Sequence, residues 1–337
     1  MKKVIAIAAL LVFGAAALTA AEPALVVVEK ISGHLGFYTA TGALVKEVKL
    51  GEHPHEMIFS PGGKLVYISD NGILWMTDPG AGGNTISIVD VARQERVGVI
   101  DLGEYRRPHG LDIDPKTGRM VSTIENPDGM VLIDLPSRKV LRKYDVQGAD
   151  PHMVLFGPKA EYAYVSNTAS GTLAAVHLES GEVKLIPVGA RPQGGVRSHD
   201  GKHIYLTVSD ANGIAIVDTE VRERVGFIPT GRGPNRIQLT PDGETLVYSM
   251  QTDQAVGFAD VADRRQTHVI PLSGPPLSLN MTADGRLAYA GIQEQGKVVI
   301  ISVPERRIVH SFWTPKNAGP DPVLPIPGVA QFSSAKE

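Results

Sequence analysis

The strongest constraint in this sequence is that it repeats itself. A unit made of a Pro, a polar residue, an apolar strand and a Gly-rich turn begins at Pro54, Pro108, Pro151, Pro192, Pro234 and Pro276, with successive spacings of 54, 43, 41, 42 and 42 residues. A period in this range belongs to propeller blades, small sheets that cannot bury their apolar faces alone and must stack on their neighbours. Only the first interval carries an insertion, of about 12 residues. No linker breaks the series, and helical periodicity is weak beyond the first 20 residues, so the 337 residues read as all-β and as one domain despite their number. A two-layer sandwich of the same strands would have no need of a fixed period.

Each repeat resolves into four short segments, A to D. Ser60-Pro61-Gly62-Gly63, Asp200-Gly201, Asp242-Gly243 and Asp284-Gly285 mark the hairpin between A and B. Segment B is rich in β-branched and aromatic residues, as in Leu65-Val66-Tyr67-Ile68 and Ile204-Tyr205-Leu206-Thr207. The turn between C and D often opens with an Asp (Asp90, Asp134, Asp218, Asp260), whose carboxylate can accept from the backbone ahead of it. This second turn occurs seven times and the first only six. The counts reconcile if residues from about Ala24 supply strands B, C and D of a blade whose strand A comes from the other end of the chain, near residues 320–326. The expected fold is a seven-bladed β-propeller of four-stranded antiparallel blades, closed by a composite N/C-terminal blade. Such closure pairs two strand edges that would otherwise stay open.

Ahead of the repeats stand Lys2 and Lys3, 15 apolar residues at 4–18, and the small residues Thr19, Ala20 and Ala21. The apolar run is shorter than the roughly 20 residues that cross a bilayer, and the order of charge, apolar stretch and small residues is that of a secretory signal. The expected organisation is a signal peptide over 1–21, cleaved near Ala20 or Ala21, a single propeller domain over 22–330 and a polar tail over 331–337. The mature protein is expected to be periplasmic or secreted, without stable membrane insertion. The chain has no Cys, which removes disulfides, thiolate nucleophiles, Cys-ligated zinc, iron–sulfur clusters and a covalently attached c-type haem. Lys and Arg number 33 against 36 Asp and Glu, a net charge of −3, so no nucleic-acid partner is expected.

Within the repeats, Pro108-His109-Gly110, Thr240-Pro241-Asp242-Gly243 and Tyr164-Val165-Ser166-Asn167 stand out, with a looser copy of the last at Tyr67-Ile68-Ser69-Asp70. On these motifs the chain resembles the YVTN family of WD40-like β-propeller repeats, whose units carry Pro-His-Gly, Ser-Pro-Asp-Gly and Tyr-Val-Thr-Asn. The resemblance covers nearly all of the chain after its N-terminal segment and implies the propeller fold. It implies no single activity, because similar propellers include lactonases, a lyase, the haem-carrying domain of a nitrite reductase and many exported proteins.

In a four-stranded blade the connections from D to A and from B to C share one face, and a site is expected to gather there. The residues that follow the anchor prolines are His55, His109, His152, Gln193, Asn235 and Leu277, with Asp321 as the seventh. Three imidazoles on consecutive blades can supply the nitrogen ligands of a divalent transition metal and leave a position open. A His after Pro can also serve the repeat itself, by hydrogen bonding a neighbouring loop carbonyl. The B-to-C side contributes Asp70, Asn71, Glu125, Asn126 and Asn167 as polar contacts for a ligand, and Gln193 and Asn235 join them. Glu125 or Glu56 offers a general base. Arg107 is placed to attract an anion. The insertion, residues 71–84, brings Trp75, Met76 and Gly80-Ala81-Gly82-Gly83 to the same face, the composition of either a lid or a mobile loop. No Gly-x-Ser-x-Gly, His-Glu-x-x-His or EF-hand pattern is present.

These features lead to an exported propeller that binds a small polar ligand, a metal ion or a periplasmic redox protein at its His-bearing face. The alternative is a metal-assisted hydrolase or lyase acting on lactone-like esters, with the three His as ligands and Glu125 or Glu56 as base. A third is a carrier of non-covalently bound haem.

Overall fold

The computed structural model describes residues 22–333; the segment expected to be a signal peptide and the last four residues of the chain lie outside the described residues. Seven four-stranded antiparallel sheets fan about one axis, as the repeat arithmetic requires. Blade 1 runs from its inner to its outer strand as Pro54–Phe59, Leu65–Asp70, Thr85–Asp90 and Glu95–Asp101. Blades 2 to 6 follow with inner strands Arg106–Asp114, Pro151–Phe156, Pro192–Arg197, Pro234–Leu239 and Ser278–Met281. The composite blade takes its inner strand, Pro320–Pro325, from the C-terminal side and adds Leu25–Glu29, His34–Tyr38 and Leu44–Lys49. The closing pairs are Leu25↔Pro325, Val26↔Leu324 and Val27↔Val323. Beyond that strand, Gln331 donates to the Ala24 carbonyl at 3.0 Å and accepts from the Tyr289 hydroxyl at 3.0 Å, while Phe332 stacks on His310.

Burial follows the sequence pattern strand by strand. The middle strands are covered on both faces, so they read as short continuous apolar runs such as the four residues Leu25, Val26, Val27 and Val28 of the strand Leu25–Glu29, which is buried along its length. The outer strands fully bury a single apolar side chain, as Ile100, Ile186 and Ile228 show, and leave the rest partly or fully exposed. Between blades 1 and 2, Tyr67, Ile86, Ile88 and Ile100 meet Leu111, Ile113, Met120 and Ile124. Each large apolar side chain removed from water in this way contributes about 1.5–3 kcal/mol, and the same interface recurs around the ring. The turns carry the chemistry expected of them. In the hairpin of blade 5, Thr240 Oγ1 donates to Asp242 Oδ1 at 2.5 Å, Asp242 Oδ1 accepts from the Glu244 amide at 3.0 Å, and Gly243 takes the left-handed φ of +78° that a side chain would strain. No helix among the described residues is long and apolar enough to cross a membrane.

Candidate functional site at the channel mouth

The inner strands do not begin as regular strands. In blades 1 to 5 the register slips just after the anchor proline, between Pro54 and Met57, Pro108 and Leu111, Pro151 and Val154, Pro192 and Gly195, and Pro234 and Ile237. At each slip two inner-strand residues face one residue of the second strand, which is the geometry of a β-bulge. The facing residue carries a hydroxyl in all five blades: Ser69, Thr123, Ser166, Thr207 and Ser249. Thr123 Oγ1 accepts from the Gly110 amide at 2.8 Å, Ser166 Oγ from Met153 at 3.1 Å and Ser249 Oγ from Arg236 at 3.0 Å. The hydroxyls also reach the next blade, since Thr123 donates to the His152 carbonyl (2.8 Å), Ser166 to that of Gln193 (2.9 Å) and Thr207 to that of Asn235 (2.6 Å). Blade packing is tight here. A Cβ on Gly110 would lie 2.7 Å from the His152 carbonyl oxygen, so only glycine fits.

The bulges aim side chains at the axis. His55, His109, His152, Gln193, Asn235, Leu277 and Asp321, the seven residues that follow the anchor prolines, all line one cavity of about 260 Å³. The imidazoles of His55 and His109 have centroids 4.1 Å apart, and those of His109 and His152 4.2 Å. All three residues are buried. Glu125 Oε1 lies 2.8 Å from His109 Nδ1. A carboxylate only accepts, so Nδ1 carries the proton, and Nε2 is the nitrogen whose lone pair is available in the neutral ring. Three ring nitrogens, His55 Nδ1, His109 Nε2 and His152 Nδ1, are buried without a hydrogen-bond partner among the described residues, with Glu56 Oε1 3.6 Å from the first. Burial pushes the His55 and His152 imidazoles well below their usual range, reinforced at His55 by the charge of Lys30, so both are neutral at physiological pH.

Charged groups complete the wall. Arg236, delivered from blade 5 by its bulge, pairs with Glu56 from blade 1, and its Nη1 donates to Asn235 Oδ1 at 3.0 Å. Lys30 is buried with its Nζ 3.9 Å from Asp321 Oδ2 and 5.5 Å from the centre of the Trp75 ring, and that ammonium donates no hydrogen bond among the described residues. Burial lowers the Lys30 ammonium and raises the Asp321 carboxyl, each opposed by the other's charge. The insertion covers this region: Leu74, Trp75, Met76 and Thr77 join the lining. Arg107 fastens it by donating to the carbonyls of Met76 (3.4 Å), Asp78 (3.0 Å) and Gly80 (2.6 Å).

Four expected ligand contacts are not brought to the cavity. Asp70 and Asn167 pair directly with Pro54 and Pro151, and because successive strand residues point to opposite faces, they point away from the axis. Asp70 accepts from Thr85 (2.7 Å), Ser87 (2.8 Å) and the Gly51 amide (3.0 Å), and Asn167 donates to the Val146 carbonyl (3.3 Å) and to Thr172 (3.2 Å). Asn126, two residues beyond the partner of Pro108, is exposed. Arg107 holds the insertion. Its guanidinium stands 3.9 Å from Glu125. Asn71, Glu125, Gln193, Asn235 and Trp75 do line or touch the cavity, as do His55, His109 and His152. Sequence reasoning missed Lys30, Arg236 and Gln251. The signal was present, because Lys30, Asn71, Glu125 and Gln251 each stand one residue past the partner of an inner-strand proline.

Fold and site together define a β-propeller with a polar, His-bearing recess where its channel opens. A family profile described as YNCE-like beta-propeller matches residues 13–284, and the chain belongs to that family. No curated protein matches it. Among solved structures, it is similar to a hydrazine synthase from Kuenenia stuttgartiensis (TM-score 0.66, 16% identity, covering 81% of this chain and 90% of that one). A dihydro-heme d1 dehydrogenase, NirN, in complex with DHE has a TM-score of 0.64 at 17% identity, covering 87% of this chain and 64% of its own. A functionally unknown protein from Desulfotomaculum acetoxidans DSM 771 has a TM-score of 0.74 at 14% identity, covering 90% and 99%. At these identities the likeness is one of fold.

Proposed function

We propose that this protein is an exported binding propeller that takes a small polar ligand with an anionic group at the channel mouth. One observation carries the reading. Around a single cavity of about 260 Å³, three ring nitrogens and Asp321 Oδ1 are buried without partners, and the Lys30 ammonium donates no hydrogen bond among the described residues. Each buried polar group left unpaired costs about 1–3 kcal/mol, an expense that a ligand with matching groups removes. Lys30 calls for an acceptor, and a carboxylate or phosphate oxygen is the strongest. The cavity lies just below the roughly 300–1,000 Å³ of sites for drug-sized molecules, which favours a small ligand over a haem.

The hydrolytic alternative has less support, because Glu56 is engaged by Arg236 and Glu125 by His109. One fold neighbour is named as a dehydrogenase, and on that ground a periplasmic redox protein stands as the second candidate occupant of this face. Export rests on residues 1–21 and is checked by the N-terminus of the mature protein. The binding test is a thermal-shift panel of small carboxylates, amino acids and inorganic phosphate. At least one compound is expected to stabilise the wild type and to have no effect on a Lys30→Met variant or on the His55, His109, His152 triple Ala variant. No shift with any compound, or equal shifts in all three proteins, overturns the reading.

A further inference from the structure

We propose that His55, His109 and His152 hold a single divalent transition-metal ion. The inference deepens the ligand-binding reading above and rests on it for the location of the site. The three rings come from consecutive blades, stand in van der Waals contact, and each has one buried nitrogen that makes no hydrogen bond among the described residues. His109 is the central ligand. Its Nδ1–H is fixed by Glu125, which leaves the Nε2 lone pair bare, and this carboxylate–imidazole pairing is the one that orients metal-bound His and raises its basicity.

Ligand atoms of His55, Glu56 and His109 all lie within 4.8 Å of one another, so Glu56 competes for the third position. Its carboxylate is already paired with Arg236, and a metal bound there would face the guanidinium. His152 carries no such partner and sits on the other side of His109. Donors about a tetrahedral ion at 2.0–2.1 Å stand roughly 3.4 Å apart, and His152 lies outside the 4.8 Å set formed by His55, Glu56 and His109, so the site closes only when the His152 side chain turns toward the other two. Three imidazoles without a thiolate suit zinc, copper, nickel or iron and not calcium or magnesium. The positive charge of Lys30 and Arg236 is matched by Asp321 and Glu56. Any remaining coordination position opens to the cavity that Lys30 shares, where an anionic ligand would meet both.

The test is a titration of untagged, EDTA-stripped mature protein with cobalt(II) chloride, followed by visible d–d absorption. Saturation at one equivalent, with displacement by zinc, is expected. His109→Ala should weaken cobalt binding at least 100-fold. Glu125→Gln, which acts through His109 as a positioning residue, should weaken it about 10–100-fold and shift the absorption band while leaving circular dichroism unchanged. His152→Ala provides the same comparison should His109→Ala fail to fold. A titration without a saturable band, or saturation unchanged in both His variants, overturns the metal site. The carboxylate and phosphate panel is repeated on stripped protein. Stabilisation there without a cobalt band removes the metal and leaves the ligand reading standing; cobalt binding without any panel ligand does the reverse.

Discussion

Thr123 ties the bulge that presents His109 to the blade that presents His152, and its hydroxyl can be removed without removing its bulk. In Thr123→Val the Gly110 amide loses its 2.8 Å acceptor and the His152 carbonyl its 2.8 Å donor, both in a buried setting. Two stranded groups at about 1–3 kcal/mol each give an expected loss of about 2–6 kcal/mol. Thr207 is the internal control. It faces two carbonyls, Gly194 at 3.0 Å and Asn235 at 2.6 Å, but has only one proton to give, so Thr207→Val strands one acceptor at a time and should cost about 1–3 kcal/mol, half the loss in Thr123→Val. Equilibrium unfolding in urea, followed by far-ultraviolet circular dichroism, reads both as shifts in midpoint at unchanged slope. A Thr123→Val midpoint within about 0.5 kcal/mol of the wild type, or a larger loss in Thr207→Val, would refute the claim that these hydroxyls pin the bulges.

Two further outcomes follow from buried charge. Arg236→Met leaves the Glu56 carboxylate buried and unpaired and should cost about 3–5 kcal/mol, whereas adding Glu56→Gln should recover most of it; strictly additive losses in a double-mutant cycle would show that the cross-channel pair does not exist. Glu29, enclosed with Tyr38, Ser32, His34 and Glu47, is pushed up to about 7 by burial and by its neighbour Glu47, against the pull of the Tyr38 hydroxyl. The folded chain therefore binds more protons than the unfolded one between about pH 4.5 and 7, and stability falls as pH rises through that window, on the order of 1–3 kcal/mol. Glu29→Gln should flatten the decline in melting temperature, and an identical pH profile in both proteins would contradict the burial argument.

The architecture was legible because a propeller writes its geometry into the chain as a period. Anchor prolines and Asp-Gly turns recur where the structure places blade starts and hairpins, and the mismatch between six first turns and seven second turns located the composite blade. The turn residues act through local backbone chemistry, as at Asp242 and Gly243, so they can be read one at a time. Residue direction is different. In a strand it depends on parity counted from a fixed pair, and a single extra residue inverts it.

The bulges are that extra residue, and they account for both the successes and the misses at the site. The residues after the anchor prolines all line the cavity, and they are found from the chain alone because the count from Pro needs no register. On the second strand direction depends on register: Asp70 and Asn167 oppose the prolines directly, and the residues that face the cavity stand one further along, at Asn71, Lys30 and Gln251. The hydroxyl column of Ser69, Thr123, Ser166, Thr207 and Ser249 marks the bulge in every one of these blades. Aligned on that column, the second bulge residue reads Glu56, Gly110, Met153, Gly194 and Arg236, which sets the two charged members apart from residues that carry no charge. Glycine stands where the next blade crowds the backbone, as at Gly110 and Gly194, whereas the buried cation and anion stand on blades 1 and 5 and meet across the channel. A pair separated by 180 residues leaves no local trace in the chain, but the register of the bulges brings both of its members to the axis.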